Sequence, residues 1–131
     1  IVERTPIGLI ETRAGYTLVD AAGVALSTTE TPAPGRPILD VQGGVRSGAF
    51  ESVGQVIRSL PDDIRSLVTG VTASTPDDVT LILGGTNTQV VWGSAEDSAM
   101  KALVLQTMMK QRPPESVSAY DVSSPGSIVV R

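Results

Sequence analysis

The pattern of apolar and polar positions is clearest in the second half of the chain. Val79–Leu83 and Thr88–Trp92 are β-rich runs flanking Gly84-Gly85-Thr86-Asn87, residues that tolerate positive φ, and this arrangement predicts a hairpin. Ser94 then has the character of a helix N-cap, with Glu96 and Asp97 suited to the positive end of a helix from Ala95 to about Gln111. Ala99, Met100, Leu103, Val104, Thr107 and Met108 recur at three- and four-residue steps, which predicts one buried face. Lys110 and Arg112 suit the C-terminal end, and Pro113-Pro114 stops the helix. Ser116 to Val122 and Ser127 to Arg131 read as two further strands around Ser123-Ser124-Pro125-Gly126.

The first half has the same components. Ile1 to Leu9 is β-like, and Pro6 confines that part to an edge or a strand end. Tyr16–Val19 and Val24–Leu26 flank Asp20-Ala21-Ala22-Gly23, a turn with Asp first and Gly last. Ser27 to Arg36 is rich in Thr and Pro, which excludes helix and predicts an extended connecting loop. Ile38–Val41 is a short strand released by Gly43-Gly44. Phe50, Val53, Val56, Ile57 and Leu60 follow helical steps from Ala49 to Ser59. Pro61-Asp62-Asp63 restarts a helical turn from which Ile64, Leu67 and Val68 face inward, and Val68 to Ala73 returns to a strand. Strands joined by short hairpins, with helices inserted at intervals, predict an α+β fold, a mostly antiparallel mixed sheet with two amphipathic helices packed on one face. The final strand has no successor and is a candidate exposed edge.

At 131 residues the chain is long enough to bury a core as one domain without covalent staples. It contains no cysteine and no histidine, so it has no disulfide, no thiolate ligand and no imidazole base. A net charge of −4 with singly scattered basic residues argues against a nucleic-acid partner. No apolar run reaches the roughly 20 residues of a membrane span. Ile1-Val2-Glu3-Arg4 reads as a strand entered midway, as in an excised part of a longer protein.

Candidate chemistry is sparse. The acidic pairs Asp62-Asp63, Asp77-Asp78 and Glu96-Asp97 could supply acid/base groups or bind a hard cation, but each sits at a helix start or a turn, where acids serve structure. Gly43–Gly48 with Arg46 could cradle an anion; it lacks the Gly-Lys-Ser/Thr ending and reads as a flexible loop. Ser-His-Asp catalysis has no histidine to use, and no Ser-x-x-Lys pair is expected. Trp92 reads as a packing residue with its indole N–H bonded locally. No metal site and no cofactor are expected. Ser127 to Arg131 differs, because β-branched residues on a terminal strand leave one row of main-chain donors and acceptors free for strand addition.

Several motifs, in order, resemble the extracytoplasmic β domain of the FtsQ/DivIB family of bacterial cell-division proteins. They are Val2–Ile7, Leu18–Val24, Val79–Leu83 through Val91–Ser94, Lys101-Ala102-Leu103, and Ala119–Pro125 ending in Ile128–Arg131. The resemblance implies that residues 1–8 are the end or junction of an upstream POTRA-like domain and 9–131 an FtsQ-type β domain. It implies a non-enzymatic scaffold on the extracytoplasmic side of the cell membrane at the division septum, anchored by a span outside this sequence. Its partners would be FtsB-like and FtsL-like division proteins. Carried over by motif, the partner strand would be added along Ser123, Ser124, Pro125, Gly126, Ser127, Ile128, Val129 and Val130. Ser123 departs from the family pattern, in which many relatives carry Arg, so main-chain pairing and apolar pockets would carry more of the contact. The rival reading is a POTRA-associated secretion or envelope-assembly adaptor that binds through Thr31 to Pro37; an enzyme using the acid pairs ranks third.

Overall fold

The computed structural model describes residues 6–20, 22–31, 36–44, 47–123 and, as backbone, 129–130. Nine strands form one sheet: β1 (Pro6–Thr12), β2 (Gly15–Asp20), β3 (Ala25–Thr29), β4 (Ile38–Val41), β5 (Val68–Ala73), β6 (Val79–Leu83), β7 (Gln89–Gly93), β8 (Ala119–Asp121) and β9 (Val129–Val130). Their spatial order is β3-β2-β1-β4-β5-β6-β7-β8-β9. Five of the eight neighbouring pairs are antiparallel, and β1·β4, β4·β5 and β7·β8 are parallel. Helices α1 (Gly48–Ser59) and α3 (Ser98–Gln111) pack side by side on one face, with the short α2 (Asp62–Arg65) between them in sequence. This is the mixed, mostly antiparallel α+β sheet that the hydrophobic pattern predicts.

Alternation explains the core. Val79, Leu81 and Leu83 of β6, Val90 and Trp92 of β7 and Tyr120 of β8 point to the helical side and are fully buried. From above, α1 contributes Phe50, Val53, Val56 and Ile57, the helical steps read from the sequence. Ser47 caps this helix by accepting the Phe50 N–H at 3.2 Å. The Asp20 turn forms as expected: Gly23 N–H donates to the Asp20 carbonyl, and the Asp20 carboxylate accepts from Ala22 and Val24. In the β6–β7 turn, Gly85 and Asn87 take the positive φ values that the sequence anticipates, 83° and 56°.

Five expectations need correction. The last long helix begins at Ser98, not Ala95, because Ser94 accepts from Glu96 N–H in a local turn and leaves residues 94–97 as a corner. Its buried face is Ser98, Lys101, Ala102, Leu105 and Met108; Ala99, Met100, Leu103 and Thr107 face solvent and Val104 lies at the flank. Leu67 is exposed rather than inward, since it follows the end of α2 and hands its carbonyl to Gly84 N–H. The segment from Ser27 is strand as far as Thr29, because extended hydroxyl-bearing residues can pair with β2 at a polar edge, with Thr17 and Thr28 hydroxyls 3.0 Å apart. Strand β8 is only Ala119–Asp121, since Pro114–Ser116 closes a 3-10 turn first.

Candidate functional site

Helix α3 and the strands flanking it set the geometry of the C-terminal edge. The α3 backbone ends at Arg112, whose N–H reaches the Met108 carbonyl at 2.7 Å before Pro113-Pro114 stops the helix. Arg112 gives its carbonyl to the hydroxyl of Tyr120, a side chain with no exposed surface. Burial pushes the Tyr120 pKa up, partly offset by the Arg112 guanidinium. Thr88, also buried, has its hydroxyl 2.7 Å from the Pro114 carbonyl and 3.1 Å from that of Val117. The connection from α3 to β8 is thus stitched to β7, and β8 lies parallel to β7 with Val91 opposite Asp121.

Strand β9 then pairs antiparallel with β8, Tyr120 opposite Val130 and Asp121 opposite Val129. It is last in the strand order, and among the described residues no strand lies beyond it. In an antiparallel pair the main-chain groups of successive residues point to opposite sides, so one of Val129 and Val130 directs its N–H and C=O toward β8 and the other directs them away. Of the residues expected to contact a partner, Val129 and Val130 occupy this terminal strand. Ser123 lies two residues past β8, its hydroxyl donating to the Asp121 carboxylate at 2.6 Å while its N–H donates to the same oxygen at 3.1 Å. Ser124, Pro125, Gly126, Ser127 and Ile128 lie outside the described residues.

The other candidates serve structure where they are described. Asp62 and Asp63 stand in the first turn of α2, and Asp62 also pairs with Arg65 at 3.2 Å. Asp78 accepts from Ser74, and Asp77 N–H donates to Thr75 in the same turn. Among the described residues no three acidic side chains gather as a metal site would require. Trp92 is fully buried, and its indole N–H donates to Ser98 Oγ at 3.3 Å. Of the Gly43–Gly48 segment, Val45 and Arg46 lie outside the described residues, and Ser47 is engaged as the α1 cap.

The expectation that no Ser-x-x-Lys pair occurs is corrected by Ser98-Ala99-Met100-Lys101, which has that spacing, used by some serine hydrolases. In the fold the two side chains make separate bonds. Ser98 Oγ donates to the Ala95 carbonyl at 2.7 Å, and Lys101 Nζ donates to the Ser94 carbonyl at 2.8 Å. Lys101 is 2% exposed, and burial lowers its pKa against the opposing pull of Asp97 and Glu96. No local signal marks it: a helix N-terminus leaves N–H groups free, and the carbonyl that Lys101 serves belongs to a corner formed by the fold.

A similar overall fold is found in a solved bacterial cell-division domain. The major extracytoplasmic domain of DivIB from Geobacillus stearothermophilus superposes with a TM-score of 0.59 at 17% identity, covering 82% of this chain and 92% of that one. The family model for the cell division protein FtsQ/DivIB C-terminal region matches residues 8–123. Cell division protein FtsQ of Streptomyces griseus is 32% identical over 95% of this chain and 62% of its own length. FtsQ proteins of Streptomyces bingchenggensis and Streptomyces venezuelae are 33% and 34% identical, with 49% and 48% of their lengths covered. The chain therefore belongs to the FtsQ/DivIB family of cell-division proteins, and it spans about half to three-fifths of the length of these relatives. The family is non-enzymatic, and its members are membrane-anchored with an extracytoplasmic domain. Among the described residues no helix is long and apolar enough to cross a membrane.

Proposed function

We propose that this chain is an extracytoplasmic scaffold domain of the division machinery that recruits FtsB-like and FtsL-like proteins by adding a partner strand to the outer side of β9. In this reading residues 1–8 join it to an upstream POTRA-like domain, residues 9–131 are the FtsQ-type β domain, and a span elsewhere in the protein holds it at the septal membrane. The observation that supports the reading is the terminal place of β9: a strand paired on one side offers its other row of donors and acceptors as a template. The connection from α3 to β8 is held by the Thr88 and Tyr120 hydroxyls, which lowers the ordering that binding would require.

The test substitutes Val129 and Val130 by proline one at a time and titrates the extracytoplasmic segment of an FtsB-type partner by calorimetry. One proline removes an outward N–H and the other an inward one, so the two should differ. Affinity is expected to fall at least tenfold, or about 1.4 kcal/mol, in the outward variant while circular dichroism and melting stay near wild type. Two folded proline variants that both bind like wild type would falsify strand addition here. Replacing Pro32 and Pro34 by serine should leave binding unchanged; a loss there would favour the adaptor that uses the Pro-rich segment.

A further inference from the structure

We propose that Lys101 is a positioning residue for the β9 edge, acting through the corner at residues 93–97 and the contact of Gly93 with Ser123. The inference rests on the strand-addition reading above. The corner is held by side chains of the first α3 turn: Lys101 Nζ on the Ser94 carbonyl at 2.8 Å, and Ser98 Oγ on the Ala95 carbonyl at 2.7 Å with the Trp92 indole donating to Ser98 from below. It also contains Asp97 at φ 55°, a left-handed conformation that Asp tolerates better than most residues with a Cβ. A buried ammonium is costly without a hydrogen-bond partner, and the Ser94 carbonyl supplies one.

The corner matters to the edge because Gly93 lies against Ser123. A Cβ on Gly93 would come 3.0 Å from the Ser123 Cβ, and Gly93 itself has φ +83°. Ser123 is the last described residue before the chain turns toward β9. Asp121 holds it through two bonds, and on its other side the space beside Gly93 is too tight for a Cβ. Freed from Lys101, the Ser94 carbonyl is unsatisfied and the corner can lift, which loosens the Gly93 backbone beside Ser123. Neither Lys101 nor Gly93 is placed at the partner contact, so both act through Ser123.

The experiment measures partner affinity together with amide exchange at Val129 and Val130 and at the core residues Leu81 and Val90. Lys101→Met keeps the length of the side chain and removes the donor. It should weaken binding of the FtsB-type segment about tenfold and speed exchange at Val129 and Val130 more than at Leu81 and Val90. Lys101→Cys, the only cysteine in the chain, can be aminoethylated in the unfolded state to restore an ammonium at the same reach; that product should recover both affinity and edge protection. Gly93→Ala perturbs the same contact from the other side and should give the same signature with Lys101 intact. Unchanged affinity in folded Gly93→Ala, or edge and core exchange rising by one common factor in Lys101→Met, overturns the proposal. If the proline variants of β9 bind normally, the strand-addition reading fails instead; if they lose binding while Lys101 and Gly93 variants do not, only the positioning role fails.

Discussion

Burial of the Lys101 ammonium has a consequence that pH can read. Its folded-state pKa lies below the ordinary lysine value of 10.5, with desolvation the cause and Asp97 and Glu96 opposing it. Between the depressed folded value and 10.5 the unfolded chain holds more protons at this site than the folded one, so the Lys101 contribution to stability rises with pH and levels off above 10.5. Tyr120 has the opposite sign. Burial raises its pKa above 10.0, so stability conferred by its neutral phenol is complete below that value and is lost as pH rises through the raised folded pKa. Urea unfolding of wild type and Lys101→Met from neutral pH to about pH 11 isolates the lysine, since Tyr120 is common to both. The stability of wild type minus that of the variant should grow as pH climbs toward 10.5; a difference that stays flat or shrinks would mean that the ammonium is not desolvated.

Helix α3 shows what the sequence could and could not say about an element. In α1 every inward position is apolar, so the steps through Phe50, Val53, Val56 and Ile57 give the face directly. In α3 the inward face begins with Ser98 and Lys101, polar residues that bury by bonding to carbonyls of the preceding corner, and a search for apolar periodicity slides past them to Met100 and Leu103. Those two are 53% and 58% exposed. The hairpins, the turn glycines and the proline stop were legible because each depends on local backbone preferences. The depth of Lys101, Thr88 and Tyr120 was not, because their partners are carbonyls in the corner before α3 and in the connection after it, which take their positions only in the assembled fold. The corrected face makes a direct prediction. Leu105→Ala, at a site with no exposure, should cost about 2–5 kcal/mol, whereas Leu103→Ala should stay within about 0.5 kcal/mol. Denaturant titration of the two variants checks this, and a larger loss at Leu103 would restore the face expected from periodicity alone.

At the scale of the molecule the sheet has two ends, and they differ. β3 at the far end is a five-residue strand without an ionisable side chain, longer as a template than the two residues of β9. Length alone would therefore direct a partner strand to β3. Two features oppose that choice. The β3 pairing with β2 shifts register between Leu18 and Val19, a local irregularity of the kind that twists an edge out of line, and Ala25, Ser27, Thr28 and Thr29 are exposed, giving an added strand no apolar layer to cover. β9 by contrast is backed by β8, β7 and α3, whose buried Tyr120, Trp92 and Leu105 continue the core toward that edge. Eight strand spacings of about 4.8 Å place the two ends roughly 35–40 Å apart, several times the Debye length of about 8 Å at physiological salt. A charge at β3 should then be silent at β9. Ser27→Lys combined with Thr29→Lys is expected to leave affinity for the FtsB-type segment within about twofold of wild type in calorimetry, since lysines on an exposed edge block strand addition only where they stand. A tenfold loss in a variant that still melts like wild type would move the partner to the opposite end of the sheet and leave β9 as a closing hairpin with no recruiting role.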